Sequence, residues 1–166
     1  MPSDVDITII LQNKRWTDAL PTYETIVPSI VNETLIIIGR KADNTEASVV
    51  LADDAFLQKY NLGFRGKDHP TNVLSFPADK SMPFADQINN LGDILISLET
   101  IEREALEQHK SLEDHFKHML VHGILHLVGY DHQSDDDADK MESLEITILQ
   151  TFGVSNPYDH KTKVSK

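Results

Sequence analysis

Cysteine is absent from the 166 residues, which excludes disulfides and thiolate ligands and leaves histidine, aspartate and glutamate as the strong metal ligands. Long apolar runs are missing too. Nothing approaches the ~20 consecutive apolar residues of a membrane span. The opening Met-Pro-Ser-Asp-Val-Asp is acidic, without the cationic stretch and apolar core of a leader. The chain therefore reads as a cytoplasmic protein with no membrane partner. Positive charge is scarce: 15 Lys and Arg face 27 Asp and Glu, a formal net charge of −12. Such a chain repels a polyanion as a whole, so any nucleic acid must be recognised by a local contact. A single domain of this length buries roughly 70% of its unfolded surface. It needs no metal to fold, and a metal site in it is there for chemistry.

What is present points to such a site. His122-Gly123-Ile124-Leu125-His126-Leu127-Val128-Gly129-Tyr130-Asp131-His132 places three imidazoles at ligand spacing. On a helix, side chains four residues apart lie one above the other, so His122 and His126 can close on one ion. Gly129 falls where the helix must stop, since glycine takes the left-handed conformation without a Cβ penalty, and His132 can then swing back to the same ion. Three neutral imidazoles with no fourth protein ligand suit one zinc ion per chain in an open, catalytic arrangement. A structural zinc would be closed by a fourth ligand.

Along the chain, periodicity and turn residues predict one domain over residues 1–155 and an unstructured tail over 156–166. Val5 to Leu11 reads as a strand and Thr17 to Asn32 as a helix broken or kinked at Pro28. Leu35 to Ile38, ended by Gly39, and Ala47 to Leu51 read as a strand hairpin. Asp53 or Asp54 caps a short helix through Tyr60, and the Gly-, Asn- and Pro-rich Asn61 to Pro70 reads as a loop. Asn72 to Phe76 is a strand closed by Pro77, and a loop from Ala78 to Asn90 leads to the strand Leu91 to Ser97. A helix from there to His109 follows. Ser111 and Asp114 form a capping box for the helix that carries the metal histidines. Asp135, Asp136 and Asp137 favour the positive end of a last helix, which Gly153 ends after Phe152. A calcium loop is the other reading of these aspartates, but the Gly and distal Glu of the EF-hand pattern are missing. His109, His115, His118 and His160 read as core or exposed histidines, not ligands.

The spacing His-x-x-x-His-x-x-Gly-x-x-His resembles the ligand set of the metzincin proteases. Gly123, however, stands where those enzymes carry their glutamate base. Joined with Phe64-Arg65-Gly66-Lys67-Asp68-His69-Pro70-Thr71-Asn72-Val73-Leu74-Ser75-Phe76-Pro77 and Leu91-Gly92-Asp93-Ile94-Leu95-Ile96-Ser97, the chain closely resembles the YbeY family of endoribonucleases from about Leu51 to Tyr158. That resemblance implies an α+β fold, a small mixed sheet of about four strands packed with about five helices, the metal site at the C-terminal end of a central helix. It implies a zinc-type hydrolase for single-stranded RNA, associated with the ribosome, acting in 3′-end maturation of small-subunit ribosomal RNA and in ribosome quality control. The family's metal ligands map onto His122, His126 and His132, and its important arginine onto Arg65. Asn72 stands where the family pattern usually has Asp.

Elementary chemistry is consistent with this. An ion held by three neutral ligands keeps its full charge, polarises a phosphoryl oxygen and brings the pKa of bound water toward ~7. Arg65, in its glycine-flanked loop, can hold two phosphate oxygens at once. Lys67 either adds a second positive contact or is a solvated loop lysine. Asp131 either orients the His132 imidazole or shapes the turn. Two other functions stand beside the endoribonuclease: a metzincin-like metalloprotease with a displaced acid/base residue, and a ribosome-associated metal-binding protein.

Overall fold

Alternation of apolar residues builds β1 (Asp6–Leu11) and β2 (Thr45–Ala52), which run parallel and are joined through α1 (Arg15–Ala19) and α2 (Tyr23–Ile37). In the computed structural model, which describes residues 4–78 and 89–158, α3 (Asp54–Arg65) leads to β3 (Val73–Pro77). Then come β4 (Asn89–Ser97), α4 (Leu98–Glu107), α5 (Leu112–Leu127) and α6 (Asp135–Thr151). The sheet order is β1-β2-β4-β3, with β4 parallel to β2 and antiparallel to β3. This is the expected α+β architecture on a mixed four-stranded sheet. No helix among the described residues is long and apolar enough to cross a membrane.

The strand period of two divides the core. Val49 and Leu51 of β2 and Ile94 and Ile96 of β4 join α5 and α2 on one face of the sheet, while Val50, Ala52, Leu74 and Leu95 meet Leu57 of α3 on the other. Helix α5 supplies Phe116, Leu120, Val121, Ile124 and Leu125, all fully buried. Each such side chain contributes roughly 1.5–3 kcal/mol by leaving water. Trp16 fixes the start of α1 against this layer: its ring meets Phe116 edge-on at 5.4 Å and its Nε1 donates to the Ala52 carbonyl at 2.9 Å. Gly92, at φ +123°, lets β3 and β4 close together, since a Cβ there would lie 2.1 Å from the Phe76 carbonyl oxygen.

Several local expectations are corrected. Residues 17–32 are not one helix; the break falls near Pro21, between α1 and α2, and α2 continues through Pro28. Leu35 to Ile38 is no strand. Val27, Ile30, Val31, Thr34 and Leu35 form one buried helical face, and that burial outweighs the β preference of an isoleucine run. The expected hairpin of residues 35–38 with Ala47 to Leu51 does not form, and β2 pairs in parallel with β1 and β4. Helix α3 extends past Tyr60 to Arg65, since Asn61 is buried beneath it and donates to the His69 carbonyl at 2.9 Å. Asp53 is its cap, accepting from the Phe56 amide at 2.9 Å, whereas Asp54 accepts from Ser97 and Thr100 hydroxyls at 2.6 and 2.5 Å. Asp135, Asp136 and Asp137 do fall in the first turn of α6, which Ser134 caps, its hydroxyl accepting from the Asp137 amide at 3.1 Å. The expected tail begins with contacts: Pro157 is buried, and the Tyr158 hydroxyl donates to Glu145 at 2.7 Å. The rest of that tail and His160 lie outside the described residues, as does most of the Ala78 to Asn90 loop.

Candidate metal centre

The capping box at Ser111 starts α5, its hydroxyl accepting from the Asp114 amide at 3.1 Å. The helix ends in a Schellman motif: the Gly129 amide donates to the His126 carbonyl at 3.1 Å and the Tyr130 amide to the Leu125 carbonyl at 3.0 Å. Gly129 sits at φ +106°, a conformation that side chains with a Cβ rarely adopt. The chain therefore doubles back at the end of α5 and carries His132 to the two helical histidines. Ring centroids are 4.6 Å apart for His122 and His126, 5.8 Å for His122 and His132, and 5.3 Å for His126 and His132.

One nitrogen from each ring lies within 4.8 Å of the others, so this group can hold a metal ion. Nitrogens bound tetrahedrally at zinc distances are about 3.4 Å apart, and the Nε2 atoms of His122 and His126 are 3.1 Å apart. The exposed His132 side chain has room to complete the set. Burial lowers the His126 pKa, and the neighbouring His122 and His132 lower it further. The neutral ring this favours is the form that ligates a metal.

A groove of about 880 Å³ passes over this trio. Arg65 lines it, and so do Phe64, Ser75 and Phe76, bringing the end of α3 and the edge strand β3 to the histidines. Arg65 is not in a loop but is the last residue of α3, which Gly66 ends at φ +68°. Lys67 is exposed and does not line the groove. Asp131 lines it, but its Oδ1 accepts from the His132 backbone amide at 2.8 Å and lies 3.7 Å from the imidazole Nδ1. Asn72 also lines the groove, and its Nδ2 donates to both oxygens of Glu104 at 3.2 Å.

The structure adds residues that sequence reasoning missed. Glu145 of α6, 1% exposed, reaches back to α5: Oε2 lies 3.3 Å from His122 Nδ1, and Oε1 lies 2.6 Å from His118 Nε2. Nothing in the sequence singles out one glutamate in an acidic helix. Phe64 is 70% exposed and meets Phe76 at 5.1 Å between ring centroids on the groove wall. Its exposure is invisible in a sequence that suggests ordinary core aromatics. Gly123 has a packing reason: a Cβ there would lie 3.0 Å from Ile94 Cγ2 and 3.3 Å from Ser75 Oγ. A Cβ at 123 would crowd the Ile94 and Ser75 side chains, which would have to give by a few tenths of an ångström.

With this geometry in view, comparison with known proteins is informative. Residues 10–153 match the family model described as endoribonuclease YbeY. A protein named endoribonuclease YbeY from Paramagnetospirillum magneticum is 41% identical over 161 residues, covering 95% of this chain and 98% of its own. One of the same name from Parvibaculum lavamentivorans is 42% identical, covering 95% and 88%. The solution structure of TM1509 from Thermotoga maritima superposes with a TM-score of 0.56 over 95% of this chain and 92% of that one, at 24% identity. That likeness concerns the fold alone.

Proposed function

The chain belongs to the endoribonuclease YbeY family, and from that premise we propose that it is a zinc-dependent endoribonuclease for single-stranded RNA. We assign its role to maturation of the small-subunit ribosomal RNA 3′ end and to ribosome quality control, in the cytoplasm and in association with the ribosome. The observation that carries this reading is the convergence of Arg65 and the three histidines on one groove.

His122, His126 and His132 would hold the ion, which when bound supplies a Lewis acid at a phosphoryl oxygen and acidifies water. Arg65 grips the scissile phosphate through two guanidinium nitrogens and offsets charge developing on its oxygens. Phe64, 70% exposed, and the half-buried Phe76 line the groove beside Arg65. Unpaired bases stack on aromatic faces regardless of sequence, at roughly 1–3 kcal/mol per base. A duplex keeps its bases stacked inside, so these rings favour a single strand. Asp131 preserves the turn that presents His132.

The metalloprotease reading is weakened by Gly123, which offers no carboxylate where metzincins carry their base, and a purely structural metal site would recruit a fourth protein ligand. Incubating zinc-loaded protein with single-stranded RNA, duplex RNA and casein separates the three functions. The expected result is cleavage of the single strand alone. Casein cleavage would establish the protease, and no cleavage alongside retained zinc would leave a binding protein. Product ends, cyclic phosphate against 5′-phosphate, then distinguish attack by the 2′-hydroxyl from attack by water.

A further inference from the structure

We propose that Glu145, supported by Tyr158 and His118, is a positioning residue that sets the tautomer and aim of His122, making the segment after α6 a working part of the metal centre. This rests on the metal-binding reading of the trio. The two nitrogens of His122 have different neighbours: Nδ1 faces Glu145 Oε2 at 3.3 Å, while Nε2 faces His126 Nε2 at 3.1 Å. An ionised carboxylate only accepts hydrogen bonds, so the proton of a neutral His122 resides on Nδ1. The Nε2 lone pair is then left pointing into the trio. The opposite tautomer would put a proton where the ion belongs.

The Glu145 side chain is 1% exposed. A buried charge is costly unless it is paired and fully hydrogen-bonded. Its second oxygen is satisfied twice, by His118 Nε2 at 2.6 Å and by the Tyr158 hydroxyl at 2.7 Å. Burial lowers the His118 pKa, against the pull of Glu145. A neutral His118 with its proton on Nε2 leaves Nδ1 as a bare acceptor, in keeping with the absence of a partner for that buried atom among the described residues. Glu145 thus receives donors from α5 and from the segment after α6, and one of its oxygens remains for His122. Its negative charge raises the basicity of the ligand ring, an effect that such outer carboxylates exert typically by 10–100-fold in metal affinity.

A merely structural Glu145 would tie α6 to α5 and do nothing else. The two roles separate in the full-length chain with Glu145→Gln, Tyr158→Phe and His122→Ala. Zinc affinity is read by competition with a chelator, and the imidazole tautomers of the metal-free protein by ¹⁵N NMR. Wild type should show His122 protonated on Nδ1. Glu145→Gln should lose that preference and bind zinc about 10–100-fold more weakly, and Tyr158→Phe should keep the tautomer and weaken zinc a few-fold. Thermal unfolding of the metal-free variants reports damage to the fold separately. Wild-type zinc affinity and tautomer in a folded Glu145→Gln, with only its unfolding temperature lowered, would overturn the proposal. If that variant does not fold, an Nε2-protonated His122 in wild type overturns it just as well. Full zinc binding by His122→Ala would instead sink the metal-site reading itself.

Discussion

Arg65 shows how a single side chain is prepared for its task. It stands at the C-terminal end of α3, where the partial negative charge of the helix favours a cation. The pairing with Asp68 that the sequence allows does not form; Asp68 accepts from Gln58 Nε2 at 2.9 Å, and no carboxylate among the described residues lies within 4 Å of the guanidinium. The group is therefore available to a phosphate. Arg65→Ala should keep the fold and the zinc but lower single-turnover cleavage of a single-stranded RNA about 10²-fold or more, a few kcal/mol of transition-state stabilisation. Arg65→Lys should recover part of that loss, because an ammonium keeps the charge without the two-pronged geometry. Equal rates in all three proteins would remove Arg65 from the chemistry. The trio His122, His126 and His132 was legible in the sequence because its placement obeys local rules, helical spacing and a helix-ending glycine. Glu145 and Tyr158 were not, since their approach to the trio depends on how α6 packs on α5 and on the course of the chain beyond it.

At the scale of elements, the same contrast separates α5 from α2 and α3. Helix α5 carries its own cap and its own stop, and its boundaries could be read from Ser111, Asp114 and Gly129. The end of α2 and the last turn of α3 could not be read so, because burial of Leu35 and Asn61 against other elements overrides an isoleucine run in one case and a loop-like composition in the other. Between elements, Glu104 of α4 joins α5 and the start of β3, accepting from His115 Nε2 at 2.9 Å and from Asn72 Nδ2. Burial pushes its pKa up, but the bonds from His115 and Asn72 prevail and hold it below the ordinary 4.5. The stabilisation this carboxylate contributes is therefore present above pH 4.5 and fades as the pH falls through its lowered folded-state value. Urea midpoints of the metal-free protein from pH 6 to 3 should drop more steeply for wild type than for Glu104→Gln. Parallel curves would show that Glu104 carries no such linkage. Asn72 thus ties the entry of β3 to α4, its Oδ1 accepting from the Val73 amide at 2.7 Å.

For the molecule as a whole, composition bounded the mode of action before any coordinate did. A net charge of −12 leaves RNA recognition to a few groups in one groove, and the structure brings one unpaired guanidinium, two aromatic rings and three imidazoles to that place. The mixed sheet explains how residues so far apart in sequence meet there: β3 runs along the sheet edge beside α5, and α3 delivers Arg65 from the opposite face. The family resemblance implied about four strands where periodicity read five, counting Leu35 to Ile38, and the order β1-β2-β4-β3 followed no local signal. All of this converges on one claim, that a single ion held by three histidines makes this chain a nuclease. The direct test is to strip the protein of metal and titrate zinc back while following bound zinc and cleavage of a single-stranded RNA in the same sample. The account predicts that cleavage rises in step with occupancy and saturates at one zinc per chain, and that His126→Ala gives neither. Full cleavage by metal-free protein, or by a His126→Ala variant devoid of zinc, would contradict it.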